Sequence, residues 1–359
     1  MASQIRSASL NELKPELLGK LLDLNRRHIA VYSLISVDPP ILYIPRFASK
    51  IAEFTDSFRI LFDHLKDRVV YILHVHYSAV TPREAREIAE LEAEHRISYP
   101  SFNFIHLCNY PKQLELLTGL GLQTVFCHQN ALVDANIYKP LEDVPKTIDA
   151  VYDARLLPFK RHYLAAEMKS LGLIYYSVPT EDDTIYMEHV KRNLSYANFF
   201  NHSDTGEYRR LSPAEVNQAL NQCRVGLCLS AEEGAMYASI QYLLAGLPVV
   251  TTPNIGGRNE FFDAENSITV EADPEAVKRG VEEMIKRNSD PKQIRRRTLE
   301  RMKVHRERFI SLVQEIYERE GINRSFSDEW SNIFFNKMVR NQRHLDTVEM
   351  FRAGALGDV

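Results

Sequence analysis

Short apolar runs alternate with longer amphipathic stretches along most of the chain. In the first part, strand-like runs fall at His28–Ile35, Val69–Val75, Phe102–Leu107 and Thr124–Phe126, separated by helical patterns at Phe47–Leu65, Pro82–His95 and Pro111–Leu117. The second part repeats the alternation with strands at Thr147–Tyr152, Gly172–Val178, Val225–Leu229, Pro248–Thr251 and Ser267–Val270, and with a helix predicted at Tyr163–Leu171. Nearly continuous apolar strands separated by helices predict parallel sheets covered on both faces. From Pro291 onward the pattern is amphipathic and helical, and Met1–Arg27 is polar with a helical period. The expected architecture is α/β, with two Rossmann-like domains at 1–143 and 144–325 and a helical return at 326–359.

The stretch from Val225 to Glu260 is the most informative. An apolar strand runs into an acidic turn at Glu232 and Glu233, and Gly234 is expected to open a helix that ends at Gly246. A second strand and the pair Gly256–Gly257 follow. Ligands of parallel sheets sit beyond the carboxyl ends of the strands, which is where Glu233 and Gly256–Gly257 would lie. Unpaired amides at Gly234 would suit a phosphate. Glu233 and Gln241, about 12 Å apart on one helix, would face one elongated ligand. Upstream, Arg155 and Lys160 follow the strand ending at Tyr152, two cations able to neutralise a departing diphosphate.

These segments resemble the donor-binding signature of retaining glycosyltransferases of the GT-B fold, in particular glycosyltransferase family four. The resemblance rests on Glu233, Gly246-Leu247-Pro248-Val249-Val250, Gly256-Gly257-Arg258-Asn259-Glu260 and Arg155 with Lys160 five residues on. It extends to His74-Val75-His76, to His128-Gln129-Asn130-Ala131-Leu132-Val133-Asp134 before Tyr138-Lys139-Pro140, and to Glu265–Val270 followed by Asp273-Pro274. It implies two domains facing a cleft, the last helices crossing back near Asp328–Arg340, and transfer of a sugar from a nucleoside-diphosphate sugar with retention. The catalytic roles fall to His76, Arg155, Lys160 and Glu233. The donor falls to Gly234, Ala235, Met236, Gln241, Gly256, Gly257 and Glu260. Gln241 departs from the family's second Glu and can offer the ribose only a neutral acceptor. The family's glycine-rich loop after the first strand is missing, which leaves Val37-Asp38-Pro39-Pro40 as the place for an acceptor.

Composition narrows the partners. The chain has 359 residues, 45% hydrophobic, and a net charge of −4, which supports two full cores and argues against a nucleic-acid binder. The basic stretch Lys286–Arg308 is expected to be the exposed face of a helix, with contact to phosphate or peripherally to an anionic membrane as a lesser reading. Four cysteines in or beside apolar runs, with no Cys-x-x-Cys, suggest reduced thiols, and no leader or membrane-spanning run is read, so the expected location is cytoplasmic. His74 and His76 share a strand face, but no Cys or third His stands at ligand spacing, so neither a metal nor another cofactor is expected. The partners are then a UDP- or GDP-sugar and a saccharide, lipid-linked or small-molecule acceptor. The other readings are a GT-B scaffold with impaired catalysis, a phosphorylase-like enzyme whose cofactor lysine is not found, and, last in rank, a dinucleotide enzyme, since no Gly-x-Gly-x-x-Gly follows any candidate strand. Glu181–Asp183 reads as a solvated acidic loop within an unassigned insertion, Thr180–Arg210.

Overall fold

The computed structural model describes residues 29–45, 51–176, 181–203 and 205–354, and the side chains of all of these except 29, 51–57 and 181–184. The expectations for Met1–Arg27 and for Phe47–Lys50 lie outside the described residues.

The first sheet contains β1 (Ile29–Val37), β2 (Pro40–Ile44), β3 (Val70–Val75), β4 (Phe102–Cys108) and β5 (Thr124–Phe126), in that order in space. Strands β2 to β5 are parallel, whereas β1 folds back antiparallel on β2. The sequence pattern did not separate β2 from its neighbour, because Asp38-Pro39-Pro40 reads as the end of an element and not as the tight connection of a hairpin. Helices α1 (Ile51–Leu65), α2 (Pro82–Ser98) and α3 (Pro111–Thr118) connect the parallel strands. Helix α2 begins in a complete capping box: the Thr81 hydroxyl accepts from the Glu84 amide and the Glu84 carboxylate from the Thr81 amide, with Pro82 at the first position.

The second sheet is built from β6 (Ile148–Asp153), β7 (Leu171–Ile174), β8 (Asn198–Phe199), β9 (Cys223–Cys228), β11 (Val249–Thr251) and β13 (Ser267–Thr269), in the spatial order β13-β11-β9-β6-β7-β8 and entirely parallel. The two-residue strands β10 (Glu232–Glu233) and β12 (Ile255–Gly256) pair separately above its carboxyl edge. Helices α4 (Glu181–Asn193), α5 (Pro213–Asn221), α6 (Tyr237–Leu244) and α7 (Pro274–Arg287) complete this half. The helix predicted at Tyr163–Leu171 is a single 3-10 turn, His162–Ala165, and Leu171 already opens β7. Part of the unassigned insertion, Glu181 to Phe199, forms α4 and β8, so the acidic Glu181–Asp183 opens a helix instead of lying in a loop.

Helix α8 (Pro291–Arg319) is the element that joins the halves. Its Ile294 and Met302 pack into the core of the second sheet, while Phe309, Leu312, Val313, Ile316 and Tyr317 pack into the core of the first. The crossing therefore happens within α8, ahead of Asp328–Arg340. Beyond it, α9 (Phe326–Ile333) lies on the first core, β14 (Arg340–Arg343) pairs antiparallel with β1, and α10 (His344–Ala353) packs on α1.

The basic stretch does expose Lys292, Arg296, Arg301, Lys303 and Arg308, as the sequence suggested, but several of its arginines also reach backbone or acidic partners. Arg295 donates to Ala135 O (2.6 Å) and Leu244 O (2.8 Å), and Arg306 to Ala131 O (2.6 Å) and Val133 O (2.8 Å). Arg297 pairs with Asp263 (2.9 Å), and Arg301 and Arg308 donate to Phe262 O and Phe126 O (3.0 and 3.2 Å). A guanidinium fork suits this role, since it can bind two carbonyls at once while its stem packs on apolar surface. Sequence alone shows the charge but not these targets.

Candidate functional site

Strands β6 and β9 are neighbours in register, Val151 opposite Gly226, so the loops leaving their carboxyl ends meet. The first loop carries Arg155 and Lys160 and the second Ser230 and Glu233. Lys160 Nζ is ion-paired with Glu233 Oε1, the two side chains being 13% and 9% exposed. Ser230 Oγ donates to the same oxygen (2.6 Å), and Tyr152 Oη donates to Lys160 O (2.6 Å). Fully buried Arg258 ties the second loop down by donating to Ser230 O (2.9 Å) and Thr251 Oγ1 (2.7 Å). A mostly buried ion pair of this kind holds only where further hydrogen bonds satisfy it. Ser230 supplies that bond, while Tyr152 and Arg258 hold the backbone of the two loops, and neither Ser230 nor Tyr152 was singled out by the sequence pattern.

Two further charges adjoin the pair. Asp153, at the end of β6, has its carboxyl raised to about 6 by burial, an effect only partly offset by the charges of Lys337 and Lys160. Lys337 arrives from the segment between α9 and β14, in a left-handed conformation (φ 65°), with Nζ 4.5 Å from the centre of the Tyr237 ring. Burial lowers its ammonium, and Asp153 opposes that lowering. No local pattern marks Lys337; only the chain's return to this edge brings it here.

The start of the helix after Glu233 differs from the expectation. Residues Glu232 and Glu233 are extended in β10, and α6 begins at Tyr237 after Met236, whose backbone is left-handed (φ 58°). Glu233 and Gln241 therefore do not share a helix face. Gln241 is 4% exposed within a helix whose every residue from Ala238 to Leu244 is buried. The Gly234 amide is not free either: it donates to Tyr77 O (3.2 Å). A Cβ on Gly234 would meet that oxygen at 2.4 Å, and one on Gly256 (φ 120°) would meet Glu233 O at 1.7 Å, so both positions need glycine for close backbone approach.

The first sheet meets the second at this same place. His76 follows β3, and its carbonyl accepts from Asn109 Nδ2 (3.0 Å) at the end of β4. His128 Nε2 donates to Gly257 O (2.9 Å), and Asn130 Nδ2 donates to Ala235 O (3.0 Å) and Met236 O (3.1 Å). Gly234, Ala235, Met236, Gly256 and Gly257 are thus brought together with Glu233, Lys160 and the His76–Tyr77 segment. Arg155 leaves β6 on the same loop, partly buried. Glu260 lies further out, with Oε1 3.3 Å from His305 Nε2 of α8. Val37–Pro40 is not in the neighbourhood: it precedes β2, at the amino edge of the parallel strands, where Arg68 donates to Val37 O (3.0 Å). An acceptor seat there is excluded by the direction of the strands.

The third histidine that the sequence did not reveal is His106, which β4 sets in register with His74. Ligand atoms of His74, His76 and His106 lie within 4.8 Å of one another, the set of described residues able to hold a metal. However, His76 Nε2 and His106 Nδ1 are 3.1 Å apart, with ring centroids at 5.3 Å and planes inclined by 18°. Two rings so placed meet end to end through an in-plane hydrogen bond, whereas ligands of one ion converge on a third point. Burial first, and the neighbouring imidazoles second, hold His74 and His76 well below the usual histidine range.

No family model matches the chain, and no curated protein matches its sequence. Solved structures do match. Sucrose-phosphate synthase from Thermosynechococcus elongatus superposes with a TM-score of 0.54 at 13% identity, over 75% of this chain and 78% of that one. HepE of Anabaena in complex with UDP gives 0.52 at 13% identity, over 77% and 78%. A glycosyltransferase from Rickettsia africae gives 0.51 at 13%, over 79% and 77%. At such identities the likeness speaks for architecture: two parallel-sheet domains, meeting where the carboxyl ends of their strands face each other, make this chain a GT-B-fold protein.

Proposed function

We propose that the protein is a retaining, metal-independent glycosyltransferase that takes its sugar from a nucleoside-diphosphate sugar, UDP- or GDP-linked, and passes it to an acceptor hydroxyl. The observation that carries this reading is the buried Lys160–Glu233 pair, set at the junction of two strand ends directly beneath the His76–Tyr77 segment of the other domain. The diphosphate would be held by Lys160 and Arg155 with the first turn of α6, and Lys160 would neutralise charge as the diphosphate leaves. Glu233 would accept hydrogen bonds from donor-sugar hydroxyls, and His76 would contact the sugar from the opposite side. The acceptor would attack on the face the diphosphate vacates, passing its proton to the departing phosphate, so that no pair of carboxylates is required. HepE, a structural neighbour, is seen with UDP and with UDP and glucose, which favours a uridine donor.

A cytoplasmic setting fits four buried free thiols and the absence, among the described residues, of a helix long and apolar enough to cross a membrane. Peripheral membrane contact through Lys286–Arg308 gains no support, since most arginines of that stretch anchor loops. A second reading, a GT-B binding protein with impaired catalysis, is favoured by the Gly234 amide already being engaged and by Gln241 being enclosed in α6. A thermal-shift screen of nucleoside diphosphates and their sugar conjugates separates the two. Stabilisation by one base, lost in Arg155→Ala/Lys160→Ala, supports the transferase, and no shift with any ligand supports the scaffold.

A further inference from the structure

A chain of hydrogen bonds runs from the surface of α2 to the His76–Tyr77 segment. Arg96 Nη2 donates to Glu92 Oε1 (2.6 Å), and His106 Nε2 lies 3.0 Å from Glu92 Oε2. His106 Nδ1 lies 3.1 Å from His76 Nε2, where the chain ends. Glu92, on the buried face of α2 with Ala85, Ile88 and His95, is 2% exposed, and His106 of β4 is fully buried. A charged group so enclosed is costly unless every oxygen finds a donor, and here each carboxylate oxygen has one. We propose that Glu92 and His106 are positioning residues that fix the proton of His76 on Nε2 and leave its Nδ1 as a hydrogen-bond acceptor for the donor sugar.

The logic is one of donors and acceptors. An ion-paired carboxylate can only accept, so His106 must carry its hydrogen on Nε2. Arg96 already balances the Glu92 charge, so one hydrogen on His106 satisfies the carboxylate; its Nδ1 then offers a lone pair, and His76 Nε2 donates to it. The Nδ1 of His76 makes no hydrogen bond among the described residues, and the residue is not fully enclosed. His74 is oriented in the same manner by the Ile44 carbonyl at 2.9 Å from its Nδ1, and its ring stands edge-on to His76 (87°), limiting rotation. A neutral His76 with a lone pair toward the sugar accepts from a hydroxyl and adds no positive charge beside a developing oxocarbenium ion. The inference rests on the proposed role of His76 as a donor-sugar contact.

The test reads the proton directly. In the full chain labelled with 15N-histidine, a long-range proton–nitrogen spectrum should show His76 protonated on Nε2, its signals assigned by their loss in His76→Gln. In Glu92→Gln, Arg96 keeps the amide oxygen, so the amide NH2 faces His106 Nε2. The proton then moves to His106 Nδ1, and His76 should switch to the Nδ1–H form. Turnover should fall about 10- to 100-fold, while the Kd for the nucleoside diphosphate stays within about twofold. Should Glu92→Gln not fold, His106→Gln should keep the Nε2–H form of His76, its amide oxygen accepting the bond, and His106→Leu should lose it. A wild-type Nδ1–H signal, or an unchanged His76 proton in both Glu92→Gln and His106→Leu, would overturn the proposal. So would stoichiometric zinc in the purified protein with metal-shifted His76 and His106 nitrogens. Undiminished transfer by His76→Ala, alongside the expected spectra, would sink the donor-contact role of His76 and leave the hydrogen-bond chain standing.

Discussion

Glu233→Gln keeps the shape of the side chain but removes the charge that pairs with Lys160. A diphosphate that recruits Lys160 must first compete with Glu233 for it, so this substitution should tighten the binding of a nucleoside diphosphate even as it abolishes sugar transfer. Two unit charges about 4 Å apart at an effective dielectric of about 20 attract by about 4 kcal/mol, most of which desolvation cancels. The pair is about one-tenth exposed and shares its oxygen with Ser230, so the net attraction released is about 1–2 kcal/mol. That corresponds to about 5- to 30-fold tighter binding, at about 1.4 kcal/mol per tenfold. Isothermal titration with UDP and GDP, against wild type and at two salt concentrations, measures it. The gain should change little as salt rises, because both charges are almost enclosed and screening acts mainly on exposed groups. Unchanged or weaker binding by Glu233→Gln would mean that Lys160 does not meet the phosphates, and the donor pose would have to be abandoned.

Lys160→Met should lower turnover by about 100-fold or more, well beyond any loss in nucleoside-diphosphate affinity, as expected of a group whose work lies in the transition state. Comparing kcat with the Kd from titration decides it, since equal losses would leave Lys160 as a binding residue only. Gly256→Ala should cost about 3 kcal/mol or more in urea unfolding, because its Cβ would overlap Glu233 O at 1.7 Å in a left-handed backbone, and a loss under about 1 kcal/mol would contradict that contact. Gln241→Glu should not improve nucleotide binding but should destabilise the protein by about 2–3 kcal/mol, since α6 would enclose an unpaired carboxylate; tighter UDP or GDP binding would disprove the placement. Asp153 is raised from 3.8 to about 6, so its contribution to stability is full below about pH 4 and is lost as the pH rises through about 6. Asp153→Asn should therefore be about 3 kcal/mol more stable than wild type at pH 8 and nearly equal to it at pH 4, as read by denaturant titration at both.

Much of this was legible because the strands are apolar runs with glycine or acidic punctuation at their carboxyl ends, and parallel sheets place function at those ends. Glu233, Lys160 and His76 each follow such a run within a few residues, and the fold brings the first two into contact and the third across from them. The failures share a cause, which is that the deciding partner lies far away in sequence. His106 stands 30 residues from His76 and joins it only through strand register. Arg295 and Arg306 look solvated until the carbonyls of residues 131–138 and 244 are laid against them. Gln241 was assigned a ligand face from helical period, but α6 is buried on all sides, so its period says nothing about exposure. The onset of α6 was misplaced because Gly234 was read as a helix start, whereas a glycine is needed there to let Tyr77 approach.

That approach links the assembly of the site to the association of the two halves. The Gly234 amide on Tyr77, His128 on Gly257 and Asn130 on Ala235 and Met236 all bind the loops that carry Glu233 to segments of the first half or of its connection to the second. Each such bond contributes about 1 kcal/mol net. The first must break for a phosphate to reach the Gly234 amide, while those from His128 and Asn130 can persist, since their donors lie on the connecting segment near α8. Opening would then be a small motion of the His76–Tyr77 segment away from Gly234, with the loops of the second half held in shape. A donor that binds only the opened state has its affinity reduced by the fraction open. Weakening the Tyr77–Gly234 contact should therefore strengthen nucleoside-diphosphate binding and weaken the sugar contact made by His76, and the same closure that hides the amide is what would bring His76 onto the sugar.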